Sequence, residues 1–184
     1  MDYTMRVITG TARGRKLETL EGEAVRPTTD RVKEALFSII QFQLEGRRVL
    51  DLFAGSGQLG IEALSRGAAE AVFVDSSRAA VETVKRNLVH VQLAEKAQVV
   101  FTDSNTFLAN SQQPFDIALL DPPYGKGLLQ GSLPRLVQWM NPGGVILCES
   151  PLAEELPSAV GDFVRVKEYK YGKIKLTCYR RKAD

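Results

Sequence analysis

Apolar residues recur with two different spacings along most of the chain. Short apolar runs predict strands over residues 49–53, 71–75, 98–101, 115–120 and 145–148, with an Asn-Pro-Gly-Gly turn over residues 141–144. Apolar residues three and four positions apart predict helices over residues 58–66, 105–109 and 128–140, and a further helix that Ser76 or Ser77 opens. Because strands and helices alternate, the pattern predicts a doubly wound α/β fold with a mostly parallel sheet between helical layers.

The two ends of the chain carry patterns of their own. Residues 6–17 predict two short strands around a glycine-containing turn. One apolar face over residues 29–43 predicts a helix. Residues 163–170 and 173–180 alternate apolar and basic positions around a Tyr-Gly turn, which predicts an antiparallel hairpin at an edge of the sheet.

The charge of the chain is unevenly distributed. The chain has 184 residues, 44% of them hydrophobic and 25% charged, with a formal net charge of +2. Residues 49–163 carry 7 Lys and Arg against 13 Asp and Glu, whereas residues 164–184 carry 8 against 2. This distribution indicates either a polyanion bound to one part of the surface or lysines that solvate an edge strand.

Several classes of protein do not fit the composition. No apolar run approaches the roughly 20 residues of a membrane span. The first residues hold no apolar stretch typical of a signal peptide. Cys148 and Cys178 are too few for a disulfide framework and have no metal-ligand spacing. We therefore expect a cytoplasmic protein of one domain, without a membrane partner or a metal.

Candidate chemistry follows the predicted strands, at the carboxyl edge where α/β sheets bind ligands. Residues 51–60 contain a G-x-G-x-x-G turn, which alone suits NAD, FAD or another adenosine-bearing cofactor. Asp75, at the end of the next strand, can accept hydrogen bonds from ribose hydroxyls. Asp103 can accept from an adenine amino group. Each acid alone is typical of a helix cap or a solvated loop, but together with the glycine turn they favour a nucleoside site.

A fourth segment, residues 121–124, follows a strand with the sequence Asp-Pro-Pro-Tyr. The prolines fix φ and leave carbonyls that point at a ligand, although a proline-rich turn whose tyrosine covers the core is the alternative. The Asp121 carboxylate and the Pro122 carbonyl can accept both hydrogens of a base amine. The ring of Tyr124 can stack on the base, an interaction worth about 1–3 kcal/mol. An amine held in this way has its lone pair directed at an electrophile.

These motifs carry a resemblance to a known family. Residues 51–57 and 121–124 resemble the S-adenosylmethionine-dependent amino-methyltransferases, which methylate adenine N6, cytosine N4 or guanine N2. Residues 6–17 and 26–37 narrow the resemblance to the bacterial RsmD family, the 16S ribosomal RNA (guanine(966)-N2) methyltransferases. The similarity runs from about Arg6 to the final hairpin. It implies a Rossmann-like methyltransferase domain over residues 47–184 and an extension over residues 1–46 that contacts RNA and covers the site.

The resemblance also implies roles for individual residues. The implied cofactor is S-adenosyl-L-methionine, and the implied reaction is attack of guanine N2 on its sulfonium methyl group, with no metal. The target guanine is extruded from its helix and held by Asp121, the Pro122 carbonyl and Tyr124. The cofactor would contact Asp51, Phe53, Gly55, Gly57, Asp75, Asp103 and Ser104.

The length of the chain bears on its target. Only 60 residues follow Tyr124, which leaves little chain for the recognition region that DNA methyltransferases add. A target recognised through shape is favoured, such as an RNA hairpin in the assembled small ribosomal subunit, bound by a monomer. The residues predicted to contact phosphate are Arg6, Arg13, Arg15, Lys16, Arg26, Arg31 and Lys126. The terminal hairpin offers weaker candidates, Lys167, Lys170, Lys173 and Lys175.

Three other functions stay open. A DNA adenine-N6 methyltransferase would share every cofactor residue and the Asp-Pro-Pro-Tyr motif. A dinucleotide-dependent oxidoreductase would use the glycine turn but leaves residues 121–124 unexplained. A non-catalytic RNA-binding assembly factor would retain the fold.

Overall fold

A computed structural model describes residues 4–20, 29–110 and 113–183 and resolves their order of helices and strands. The helices are α1 (Asp30–Ile40), α2 (Gln58–Ser65), α3 (Arg78–His90), α4 (Ser104–Ala109) and α5 (Leu128–Leu136). The strands are β1 (Arg48–Asp51), β2 (Glu70–Asp75), β3 (Ala97–Phe101), β4 (Phe115–Leu120), β5 (Met140–Pro151), β6 (Ala159–Val160), β7 (Phe163–Tyr171) and β8 (Ile174–Arg181). No helix in these ranges is long and apolar enough to span a bilayer.

The strands of the described residues form one sheet in the order β3-β2-β1-β4-β5-β8-β7-β6. Strands β1 to β5 are parallel, and β6, β7 and β8 pair antiparallel beyond β5. The strand order reverses between β1 and β4, and doubly wound sheets bind their ligands at the carboxyl edge of such a point. The predicted fold class and the C-terminal hairpin are both confirmed.

Alternate residues of the central strands face two separate cores, as the two-residue period of a strand requires. One core contains Val49, Leu119 and Leu147 with residues of α1, α2 and α3. The other contains Leu50 and Leu120 with residues of α4 and α5. Helices α1 to α3 therefore lie on one side of the sheet, and α4 and α5 lie on the other.

The N-terminal segment packs into the first core through Met5, Val7 and Leu17. It folds back on itself, with the N–H of Val7 donating to the carbonyl of Arg15 and that of Leu17 donating to Met5. The prediction of two short strands is wrong in one respect, because the described part has a single bridge, Arg6 to Lys16. The following N–H groups of residues 8 and 9 donate instead to the carboxylate of Glu62, 2.8 and 3.0 Å away, and so leave the ladder.

Glu62 lies at the centre of a buried ion network that joins this segment to α1 and α2. Its side chain and that of Lys33 are both 0% exposed, and Lys33 Nζ lies 3.7 Å from Glu62 Oε1. The Nε of Arg66 donates to Glu62 over 2.9 Å, and Lys33 donates to the carbonyl of Arg6 over 2.7 Å. Burial lowers the pKa of Lys33, and the neighbouring Glu62 carboxylate opposes that shift.

Two predicted boundaries differ from the structure. The helix predicted over residues 128–140 ends at Leu136, and a 3₁₀ turn follows over residues 137–139. Residues 141–144, predicted as a turn, lie within β5, which begins at Met140, but they pair with no residue of β4, and Gly143 has a left-handed φ of +78°. Phe115 pairs with Met140 and Ile117 with Val145, so the extra residues on β5 are taken up by a break in register within the sheet.

Candidate active site

A cavity of about 450 Å³ opens at the carboxyl edge of β1 to β4. It gathers residues from all the segments in which the sequence predicts chemistry. The loops that follow the four strands supply its walls, as expected for the point where the strand order reverses. Its lining includes Phe53, Gly55, Asp75, Asp103, Ser104, Asp121, Pro122, Pro123 and Lys126.

Asp75 connects the loop after β1 to the start of α3. Its Oδ2 accepts a hydrogen bond from the N–H of Gly55, and its Oδ1 accepts from the N–H of Ser77, each over 2.9 Å. These two backbone hydrogen bonds hold the carboxylate in one orientation. Because a carboxylate has about four lone-pair positions, the remaining positions can accept hydrogen bonds from hydroxyl donors in the cavity.

The three glycines of the G-x-G-x-x-G turn have different surroundings. Only Gly55 lines the cavity. Gly57 opens α2 with φ +85°, and a Cβ there would lie 3.2 Å from the side chain of Val84. A Cβ on Gly60 would lie 2.3 Å from the ring of Phe73, so α2 approaches β2 at that point more closely than any side chain allows.

Asp51 and Gly57 are thus placed behind the cavity wall rather than in it. Asp51 is buried, and its Oδ2 accepts a hydrogen bond from the N–H of Gly60 over 2.9 Å. That bond ties the first turn of α2 to the end of β1. Asp51 and Gly57 are predicted from the sequence to contact the cofactor. In the structure, their contacts define the shape of the loop that carries Phe53 and Gly55.

Asp103 caps α4 and faces the cavity at the same time. Its Oδ1 accepts from the N–H of Thr106 over 2.8 Å, and its Oδ2 accepts from the Thr106 hydroxyl over 2.6 Å. The hydrogen bond from the Thr106 hydroxyl holds the pKa of Asp103 below its ordinary value. Asp103 is therefore a helix cap, as acids at such positions often are, and it also lines the cavity beside Ser104.

The opposite end of the cavity is formed by Asp121 and Pro122. Tyr124 is half-buried outside the lining, and its hydroxyl donates a hydrogen bond to Oε1 of Glu149 over 3.4 Å. Glu149 lies on β5 and is 3% exposed. Leu120, the last residue of β4, pairs with Cys148 on the adjacent parallel strand β5. Asp121 and Glu149 are the residues that directly follow this pair.

Glu149 is the residue of this site that the sequence reasoning missed. The predicted strand over residues 145–148 ends directly before it, just as the strand over residues 115–120 ends before Asp121. The rule that acids at the carboxyl ends of parallel strands face a ligand would have included it.

The described residues that are predicted to contact RNA lie on the N-terminal segment, at the start of α1 and in the loop after β4. Arg6 pairs with Asp30 in the first turn of α1 over 3.4 Å. The guanidinium of Arg31 lies 6.0 Å from the ring centre of Tyr171. Lys126 is exposed in the cavity lining.

Lys16 forms a backbone bridge with Arg6, and Arg13 and Arg15 lie in the turn between them. Arg13 and Lys16 are exposed in the N-terminal turn, and Arg15 donates to the carbonyl of His90 over 3.0 Å. Asn87, three residues before His90, donates to the carbonyl of Ser56 over 2.9 Å, so this end of α3 packs against the glycine turn that carries Gly55. Arg26 lies outside the described residues. Lys175 is buried and pairs with Glu168 over 3.3 Å, so it is not a surface cation.

No group of three or more His, Cys, Asp and Glu in the described ranges is arranged to hold a metal ion.

Comparison with known proteins finds relatives that match nearly the whole chain. Residues 5–180 match the family described as Conserved hypothetical protein 95. The chain is 42% identical to YlbH of Bacillus subtilis, named as a candidate rRNA methyltransferase, over 97% of this chain and 100% of that protein. It is 36% identical to ribosomal RNA small subunit methyltransferase D of Escherichia coli, over 98% of this chain and 91% of that one. A solved structure of the Escherichia coli methyltransferase candidate yhhF superimposes with a TM-score of 0.88 at 36% identity, covering 99% of this chain and 100% of that one.

Proposed function

This chain belongs to the RsmD family, and from that membership we propose that it methylates the N2 amine of a guanine in 16S ribosomal RNA, using S-adenosylmethionine. The observation that carries the proposal is the single cavity that joins Asp75 and Asp103 at one end to Asp121 and Pro122 at the other. One end suits a nucleoside cofactor, and the other suits a base amine.

The charge of the cavity supports a cationic cofactor. Asp75, Asp103 and Asp121 line it, against the single cation of Lys126 among the lining residues. S-adenosylmethionine carries a sulfonium and an amino group, whereas a dinucleotide carries a pyrophosphate that these carboxylates would repel. An excess of carboxylates around the cavity therefore favours the methyl donor.

The hydrogen bonds of the glycine turn also favour S-adenosylmethionine over a dinucleotide. A pyrophosphate site needs free backbone N–H groups at the helix start. Here the N–H of Gly55 donates to Asp75, and the N–H of Gly57 donates to the carbonyl of Ala54 over 2.7 Å. Both donors are used within the protein, which argues against the dinucleotide oxidoreductase.

We infer the cofactor contacts from the same lining. Phe53 and Gly55 would lie beside the methionine part, the free lone pairs of Asp75 would accept from the ribose hydroxyls, and Asp103 with Ser104 would face the adenine. Asp51 and Gly57 would act indirectly, by fixing the turn that carries Gly55. When bound, S-adenosylmethionine supplies an electrophilic methyl group on sulfur.

The protein's part in the reaction is to hold and orient the amine. Asp121 and the carbonyl of Pro122 would each accept one N2 hydrogen, and the ring of Tyr124 would stack on the guanine. The N2 lone pair would then be directed at the methyl carbon that bound S-adenosylmethionine supplies, and the N–C bond would form as the methyl group leaves the sulfur. The proton released by the methylated amine leaves along the hydrogen bond to Asp121.

The test uses S-adenosylmethionine with a labelled methyl group. Unmodified small ribosomal subunits, naked 16S RNA and duplex DNA are offered in parallel, and the products are digested to nucleosides. We expect label in N2-methylguanosine from an RNA substrate. Label in N6-methyladenine from the DNA would contradict the proposal and favour a DNA methyltransferase. Cofactor binding without transfer to any of the three substrates would favour a non-catalytic assembly factor.

A further inference from the structure

We propose that the tip of the β7–β8 hairpin binds the phosphates of the RNA strand next to the target guanine, together with Lys126. This rests on the proposed function, because the ligand is taken to be an RNA whose base enters the cavity. The tip is defined here as Lys170, Tyr171, Gly172 and Lys173.

The topology of the sheet brings the tip to the edge that carries the cavity. Strand β8 runs antiparallel to β5, with Ile174 opposite Pro151 at the carboxyl end of β5. Tyr171 pairs with the same Ile174 from β7. The N–H of Leu152 also donates to the carbonyl of Lys173 over 3.1 Å. At about 4.8 Å per strand, the tip lies roughly 10–15 Å along the edge from the end of β4, where Asp121 begins the base end of the cavity.

Several cations in the body of the hairpin are paired with acids. Arg165 and Lys175 both pair with Glu168, and Arg181 pairs with Asp162, whereas Lys167 lies over the ring of Tyr169. At the tip, Lys170 and Lys173 are exposed, and neither forms an ion pair with an acid among residues 4–20, 29–110 and 113–183. The tip thus carries positive charge that the fold does not neutralise within its described part.

A third cation reinforces the tip. The guanidinium of Arg31, in the first turn of α1, lies 6.0 Å from the ring centre of Tyr171. Arg31 is exposed, and the contact with the aromatic ring holds it beside the two lysines. Side chains from two separate elements therefore converge on one basic surface.

The acidic cavity requires such a surface. Three carboxylates line the cavity, so a phosphate group following the base inward would be repelled. An RNA strand that presents a guanine to Asp121 must therefore keep its phosphates outside the cavity, where cations near the cavity opening can bind them. Lys126 lies on the β4–α5 loop and the tip lies beyond β5, so the two sets of cations flank the base end.

The experiment compares the affinity for naked 16S RNA of three proteins over a range of salt concentrations. They are the wild type, the tip variant Lys170→Ala/Lys173→Ala, and the control Lys85→Ala/Lys96→Ala, which removes the same charge from exposed positions on α3 and before β3. Each phosphate contact on a single strand contributes about 0.7 to the slope of log affinity against log salt. We expect the tip variant to lose about 1.4 from that slope and the control to keep the wild-type value.

Two further measurements complete the test. Lys170→Arg/Lys173→Arg, which keeps the charge, should restore the wild-type slope, and the affinity of every variant for S-adenosylmethionine should be unchanged. A tip variant with the wild-type slope would overturn the proposal. So would a loss of affinity confined to assembled subunits, since that would favour an acidic ribosomal protein as the partner. Methyl transfer by the wild type tests the proposed function separately, because it does not depend on the tip variant.

Discussion

The hydroxyl of Tyr124 donates a hydrogen bond over 3.4 Å to the buried carboxylate of Glu149, and so joins the loop after β4 to strand β5. Leu120 and Cys148 pair in register on the two neighbouring strands. Asp121 follows Leu120, and Glu149 follows Cys148. The contact therefore fixes the aromatic ring beside the carboxylate proposed to hold the base amine. A ring fixed before the guanine arrives loses less entropy when the base stacks on it.

Two variants of Tyr124 separate the ring from its hydroxyl. Tyr124→Ala removes the stacking face, worth about 1–3 kcal/mol, and should lower kcat/KM for RNA by about 5- to 150-fold. Tyr124→Phe keeps the ring and removes the hydroxyl that donates to Glu149, so we expect a decrease of a few-fold, mainly in kcat. Steady-state kinetics on small-subunit RNA measures both.

Glu149→Gln provides the matched control, because an amide oxygen still accepts the bond from Tyr124. This variant should stay within a few-fold of wild type. The decrease caused by Tyr124→Phe should not grow when it is combined with Glu149→Ala, since both remove the same bond. Equal losses for Tyr124→Phe and Tyr124→Ala would show that the ring does not stack on the substrate.

The buried network of Lys33, Glu62 and Arg66 should dominate the stability of the N-terminal segment. Glu62→Gln removes a buried charge and leaves Lys33 without its counter-ion, which should reduce the free energy of unfolding by about 3–5 kcal/mol. Urea unfolding measures the change. The ion pair between Glu18 and Arg86, exposed on the surface, provides the comparison. Glu18→Gln should cost no more than about 1 kcal/mol, and equal losses for the two substitutions would contradict this account.

The cap of α4 predicts a pH dependence. The hydrogen bond from the Thr106 hydroxyl lowers the pKa of Asp103 in the folded protein below the ordinary value of 3.8. Asp103 therefore stabilises the fold above its unfolded pKa, and that contribution is lost as the pH falls through the lower folded-state pKa. Thr106→Val should move the pKa of Asp103 back toward 3.8, so that the contribution becomes smaller and its loss is complete at a higher pH.

Carboxyl-carbon NMR titration measures the pKa of Asp103 directly. Thr106→Ser keeps a hydroxyl at the same place and should keep the pKa lowered. An unchanged pKa in Thr106→Val would show that the backbone N–H alone produces the shift.

The parts of the fold that the sequence predicts well are those set by local pattern. The alternation of apolar runs and helical faces places β4 at residues 115–120, as observed, and the other central elements within a few residues. The positions of Asp75, Asp103 and Asp121 at strand ends follow from the same alternation. In a parallel sheet all strand ends meet at one edge, so these acids line one cavity.

The parts that the sequence does not predict depend on contacts between distant segments. The N–H groups of residues 8 and 9 leave the predicted hairpin for Glu62, more than 50 positions away. The extra residues of β5 are defined by the register with Phe115, not by their own turn-like sequence. The location of Arg15 at the far end of α3 depends on how the N-terminal segment packs, which its basic composition does not reveal.

The most direct test of the account is to separate the two ends of the cavity. Asp75→Ala and Asp121→Ala are compared for S-adenosylmethionine binding by calorimetry and for methyl transfer to small-subunit RNA. We expect Asp75→Ala to lose cofactor affinity, whereas Asp121→Ala should bind the cofactor within a few-fold of wild type and transfer no methyl group. An Asp121→Ala protein that still forms N2-methylguanosine, or that no longer binds the cofactor, would contradict the assignment of Asp121 to the base amine.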